Sequence, residues 1–167
     1  MRILGVDPGL QCTGYGLIDT AAGALKLLEG GVIRTAGQAP LETRLLTLHE
    51  GVAGVIKEYD PDCLVVEELY SKYAHPHTAI LMGHARGMAL LAAGQRGVPV
   101  FGYPASLVKR ALTGNGRATK AQVARMVCQV LALATPPSPE DITDALALAL
   151  CHASPTRAHL TLRRGRR

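Results

Sequence analysis

A chain of 167 residues with 48% hydrophobic content is sized for one packed domain. No apolar run reaches the ~18 residues of a membrane span, and Cys12, Cys63, Cys128 and Cys151 show neither a CxxC pair nor another metal-ligand spacing, which argues against a zinc module. The net charge of +5 is uneven, because residues 157–167 hold five arginines and no acid, leaving 13 bases against 13 acids before them.

Ile3 to Val6 reads as a buried strand, and Pro8-Gly9 stops it, since proline withholds an N–H and glycine accepts a turn. Asp7 is left at the carboxyl end of that strand, where a charge costs folding energy unless a partner or a cation meets it. Gly14 to Asp19 is expected to return as an antiparallel strand, its glycines marking close approach of another backbone or a ligand. A third strand is expected over Leu25 to Arg34, kinked or bulged at Gly30-Gly31. From Pro40 to Tyr59 the period becomes helical, with Leu41, Leu45, Leu48, Val52, Val55 and Ile56 on one face. Cys63 to Val66 is a short apolar strand that delivers Glu67 at its carboxyl end, the arrangement already met at Asp7. The four cysteines read as small buried hydrophobes of a reduced cytoplasmic protein, and no signal peptide is expected ahead of the first strand.

Residues 71–77 read as a loop, in which His75 and His77 suit loop or nucleic-acid contacts better than metal ligation. Thr78 to Gln95 is expected to be a helix rich in small residues. Gly83 and Gly87, four apart, open one face of it to close approach by the protein's own sheet or by a second subunit. Val98 to Phe101 is a short strand and Pro104 to Leu112 a short helix. Gly114 to Lys120 lacks the Gly-Lys-Ser/Thr ending of a nucleotide P-loop and follows no strand. A glycine turn presenting Arg117 and Lys120 to a phosphate backbone fits it better. Residues 119–133 are expected to be helical, with Val123, Val127, Val130 and Leu131 as the apolar face. In the last helix Ser138 is a candidate N-cap, Pro139 suits the first position, and Asp141 reads as the return arm of a capping box. Capping leaves Asp144 unexplained, one turn on and on the same face, where two like charges repel unless something cationic lies between them.

Charge patterning adds a second signal. No Asp or Glu occurs from Leu69 to Pro139, while eight Lys and Arg fall there, so the surface they build does not repel an anion, and nucleic acid is the first candidate. Sites in open α/β sheets form at the carboxyl ends of strands. Asp7, Glu67 and the Asp141–Asp144 pair would therefore meet at one sheet edge. Four carboxylates without matching bases call for hard divalent cations such as Mg2+, and two such ions would activate a water and stabilise the leaving oxygen of a phosphodiester.

Asp7-Pro8-Gly9 with Thr13-Gly14-Tyr15-Gly16, Glu67-Glu68-Leu69-Tyr70, Gly83-His84-Ala85-Arg86-Gly87 and Asp141 to Ala147 together resemble the RuvC family of Holliday-junction resolvases over roughly residues 2–153. The resemblance implies an α/β, ribonuclease H-like fold with a five-stranded mixed sheet flanked by helices. It implies a homodimer that resolves four-way DNA junctions by paired symmetric nicks, with two Mg2+ per site (Mn2+ substituting), alongside the branch-migration motor RuvA–RuvB. Matched by position, Asp7, Glu67, Asp141 and Asp144 are the metal-binding and catalytic acids. Tyr70 is the aromatic residue used against bases, and Lys109 and Lys120 are the basic positions, to which Arg117 is added as a DNA contact. Residues 1–156 are then the nuclease domain and 157–167 a basic tail expected to be disordered. A non-catalytic junction-binding architectural protein is the alternative, but it would need the basic window and not four acids. The Asp-x-Gly turn also opens the sugar-kinase and actin ATPase folds, which require a second lobe.

Overall fold

Alternating burial along the first strand sets both faces of the sheet. In the computed structural model, which describes residues 1–21, 24–69 and 76–154, β1 (Arg2–Asp7) is the central strand of a five-stranded sheet of order β3-β2-β1-β4-β5. β2 (Cys12–Asp19) pairs antiparallel with β1, and β3 (Lys26–Arg34) antiparallel with β2. β4 (Cys63–Glu67) runs parallel to β1, and β5 (Val100–Tyr103) parallel to β4, so the sheet is mixed.

Leu4, Val6, Leu64 and Val66 project to one face, under α1 (Leu41–Tyr59) and α2 (Pro76–Gln95). Ile3, Cys63 and Val65 project to the other, under α5 (Glu140–Ala153), with α3 (Ala105–Thr113) and α4 (Lys120–Leu131) packed beside it. Burial on both faces is what makes β1 and β4 continuous apolar runs rather than alternating ones.

The local differences from the sequence reading have physical causes. The β2–β3 ladder slips between Leu17 and Ile18, not at Gly30-Gly31. Those two glycines keep register and make room instead: a Cβ on Gly30 would lie 2.9 Å from Ile142 Cγ2, and one on Gly31 2.5 Å from the Tyr15 hydroxyl. β5 runs on to Tyr103, level with Glu67. Ser138 does not cap the last helix, because Pro139 takes the N-cap position without a side-chain hydrogen bond. Asp141 is therefore no return arm of a capping box. That motif forms at α4, where the Gln122 N–H donates to Thr119 Oγ1 at 3.3 Å and the Thr119 N–H donates to Gln122 Oε1 at 2.9 Å. Leu41 and Val130, assigned to apolar helix faces, stand in terminal turns and stay exposed. On α2 the core takes Ala85, Ala89, Ala92 and Ala93, whereas Gly83 and Gly87 have open space above them. The tail beyond residue 156 lies outside the described residues.

One contact between layers is backbone on backbone. A Cβ on Gly5 would fall into the carbonyl oxygen of Ala145, and one on Gly14 into that of Asp141. On Gly16 it would lie 2.5 Å from Leu146 Cδ2. Gly5 pairs with Gly16 and Asp7 with Gly14 across β1 and β2, so a bare strip of sheet receives the first turns of α5.

Gly5→Ala is accordingly expected to lower the unfolding free energy by about 3 kcal/mol or more in urea denaturation, the upper range for overpacking against atoms that cannot yield. Gly54→Ala, on α1 with nothing within 4 Å of the added carbon, is expected to raise it by about 0.5–1 kcal/mol. Equal responses at the two positions would contradict the close seat of α5.

Candidate active site

The period of two that buries Ile3 on the α5 face carries Gly5 and then Asp7 to that same face. Cys63, Val65 and Glu67 follow the same rule on β4, and the register Val6↔Val66 sets the two acids side by side at the strand ends. From above, α5 contributes Asp141 in its first turn and Asp144 one turn later. Its approach over Gly14, the cross-strand partner of Asp7, is what lowers both onto the pair. The turn after Asp7 is closed by buried Thr13, whose Oγ1 donates to the Gly9 carbonyl at 2.8 Å and accepts the Gly9 N–H at 3.2 Å.

Electrostatics reports the crowding. Asp7 is raised from 3.8 to about 7, first by burial and then by the charges of Asp144, Glu67 and Asp141, with Lys120 offsetting part. Burial and Asp144 push Glu67 up as well, against Lys109 and Lys120. Lys120 Nζ lies 2.8 Å from Asp144 Oδ2 and 3.6 Å from Glu140 Oε2. The hydrogen bond to Asp144 raises the Lys120 pKa. A cleft of ≈ 190 Å³ opens beside the acids, with Glu67, Asp144, Lys109 and Lys120 as its polar lining and Val108, Val123, Ala147 and Leu148 among its apolar walls.

The four acids and two of the basic positions from the sequence reading thus come together. Arg117 does not join them: it stands exposed on the turn between α3 and α4, where its backbone N–H donates to Asn115 Oδ1 at 2.9 Å. His77 is exposed at the start of α2. Tyr70 and His75 lie outside the described residues. The sequence reading missed Cys12, taken for a buried hydrophobe. It is partly exposed, and burial together with the Asp141 carboxylate raises its thiol pKa. Its place at the start of the strand that returns from the Asp7 turn was the available signal. Arg86 also went without a role, although its Nε donates to the Glu67 carbonyl at 3.0 Å.

Among the described residues, no three His, Cys, Asp or Glu side chains stand close enough to hold a metal ion as they are. The donor set nonetheless suits a hard cation, because carboxylate oxygens outnumber the ammonium groups beside them, and burial together with their repulsion holds one acid near 7.

Known proteins share this arrangement of sequence and fold. The family model described as "Crossover junction endodeoxyribonuclease RuvC" matches residues 3–152. A protein of that name from Desulforamulus reducens is 45% identical over 153 residues, covering 92% of this chain and 93% of its own. The solved structure of Thermus thermophilus RuvC in complex with a Holliday junction substrate superposes with a TM-score of 0.88 at 38% identity, over 95% of this chain and 96% of that one. The Fowlpox virus resolvase bound to Holliday junction DNA shares the fold, with a TM-score of 0.56 at 17% identity over 90% and 97% of the two chains.

The raised Asp7 pKa fixes a sign. Between 3.8 and about 7 the folded protein holds a proton that the unfolded chain has released, so the Asp7 contribution to stability falls as pH rises through that window and is flat above it. Metal-free protein is expected to lose about 3 kcal/mol from this source between pH 4 and pH 7. Asp7→Asn is expected to remove that slope and to be the more stable protein above pH 7, as read by chemical denaturation at a series of pH values.

Proposed function

The chain belongs to the RuvC family of crossover junction endodeoxyribonucleases, and from that premise we propose that Asp7, Glu67, Asp141 and Asp144 are its catalytic, metal-binding acids. It is an endodeoxyribonuclease of crossover junctions, a hydrolase of DNA phosphodiester bonds. The observation that carries the site assignment is the convergence of acids from two strand ends and one helix at a half-buried place, where burial and then mutual repulsion raise Asp7. Such a cluster is costly to fold and is kept where charge is needed.

Four carboxylates from two strands and a helix would hold two Mg2+, or Mn2+, per site, since such hard ions take oxygen ligands. When bound, such ions supply a nucleophilic water and charge stabilisation for the leaving oxygen. The chain's own residues do the rest. Lys109 and Lys120 flank the acids and attract the strand to be cut, because ammonium groups position phosphates without reading bases. Lys120 meanwhile neutralises Asp144 in the absence of other cations. The apolar walls of the cleft exclude water from one side of the acids, which strengthens every charge interaction there. Arg117, on the exposed turn, is assigned to a DNA contact away from the acids, and Tyr70, by the family resemblance alone, to stacking on bases near the crossover.

We infer a homodimer, because two symmetric nicks in a two-fold substrate call for a two-fold protein. Along α2, Ile80, Gly83, His84, Gly87, Leu91 and Gly94 run down the side away from the sheet, with Ile80 59% and Leu91 47% exposed. That small and apolar stripe is the proposed subunit interface. We further propose cooperation with the RuvA–RuvB branch-migration motor, on the strength of the family resemblance alone. A cytoplasmic location is consistent with free thiols at all four cysteines, and no described helix is long and apolar enough to cross a membrane. The nuclease unit is assigned to 1–156, with 157–167 as a basic tail.

Nicking of a synthetic four-way junction is expected with Mg2+ and not with EDTA. Glu67→Gln is expected to cut about 10³-fold more slowly or worse, in line with the loss of a group acting on transition-state charge, while binding the junction as tightly as the unsubstituted protein in gel-shift titration. Junction binding with no Mg2+-dependent cutting would overturn the assignment. Leu91→Glu is expected to yield monomers by light scattering; a stable dimer would move the interface off α2.

A further inference from the structure

Glu67 leaves the sheet where its neighbouring strand can no longer bind it. The β1–β4 ladder ends at Val6↔Val66, and Pro8, just past Asp7, has no N–H with which to extend it. On the β5 side the Glu68 N–H still donates to the Tyr103 carbonyl at 2.9 Å. The C=O and N–H of one trans peptide point opposite ways, so the Glu67 carbonyl faces the β1 side, past the end of that ladder. A carbonyl in this half-buried place needs a donor. Arg86 Nε, from α2, supplies one at 3.0 Å. The acceptor is the main-chain oxygen of Glu67, so Arg86 engages the backbone at this position.

We propose that Arg86 is a positioning residue: its guanidinium replaces the ladder hydrogen bond that Pro8 cannot make and so fixes the direction in which the Glu67 carboxylate leaves β4. Proline after Asp7 ends the first strand, and the lost donor falls on the strand beside it. α2 is a 20-residue helix, anchored on either side of Arg86 by buried Ala85 and Ala89, so the clamp is held from outside the sheet. The proposal rests on Glu67 being a site acid.

Arg86→Met keeps the aliphatic stem and removes the donor; Arg86→Lys restores a single donor. For Arg86→Met the Glu68 amide is expected to exchange its hydrogen at least 10-fold faster. Single-turnover nicking is expected to slow by about 10–100-fold, the usual effect of losing a group that orients a ligand. Junction affinity without metal should stay within about 2-fold of the unsubstituted protein, since Arg86 is bonded to backbone rather than free for DNA. Arg86→Lys should fall between the two in both exchange and rate. Unchanged Glu68 exchange in Arg86→Met would overturn the proposal, and so would a loss of junction affinity that matches the loss of rate. Should Arg86→Met not fold, Arg86→Lys decides, since exchange and rate both equal to the unsubstituted protein would refute the clamp. If the unsubstituted protein does not nick at all, the site assignment fails by itself, while the exchange measurement still tests the hydrogen bond.

Discussion

The absence of side chains along Gly5, Gly14 and Gly16 is the constraint on which the rest of this molecule depends. Helix and sheet normally stand apart by the thickness of their side chains, whereas here the Asp141 and Ala145 carbonyls occupy the space where Cβ atoms would be. Only that seat lets acids from a helix reach acids at strand ends. A methyl group at any of these positions would lift α5 and open the cluster before any charged residue was touched. The glycines contribute no chemistry, and they decide where the chemistry can be.

The second constraint is electrostatic and works against folding. Burial and three neighbouring carboxylates hold Asp7 near 7, so the protein keeps a destabilised group at the centre of its sheet. Lys120 relieves part of this through Asp144, and Lys109 relieves part of it at Glu67. Both lysines come from the acid-free stretch 69–139, which builds α2, β5, α3 and α4 around the site. That stretch therefore has two roles: it leaves the approach to the acids free of repulsion, and it supplies their local counter-charge. A family of junction endonucleases has a use for such a balance, since incoming phosphates bring more negative charge to a place already crowded with it.

Helix α2 shows how one element can serve two surfaces. Its alanines pack on the sheet and α1, its outward stripe of glycine, Ile80 and Leu91 is left uncovered among the described residues, and Arg86 between them reaches the Glu67 carbonyl. Small residues make both packings possible. They also explain why the helix has no clear polar and apolar side in its sequence.

Much of the fold could be read from residue order, because strand burial, proline stops and helical period are local. Asp7 and Glu67 were identifiable as strand-ending acids, and Asp144 as a charge that capping did not explain. What failed was also local in form: Ser138 offered a good cap that was not used, and Gly30-Gly31 suggested a bulge where the glycines instead make room for Ile142 and Tyr15. In each case tertiary packing outweighed a weak local preference. The sequence by itself determined which acids end strands and that a basic, acid-free stretch separates Glu67 from Asp141. Only the tertiary structure decided that Lys120 sits against Asp144, that Arg117 stays outside, that Cys12 lies beside Asp141 and that Arg86 holds Glu67. Those are contacts between elements far apart in the chain, set by how closely α5 and α2 approach the sheet, and no periodicity along the chain encodes a distance between layers.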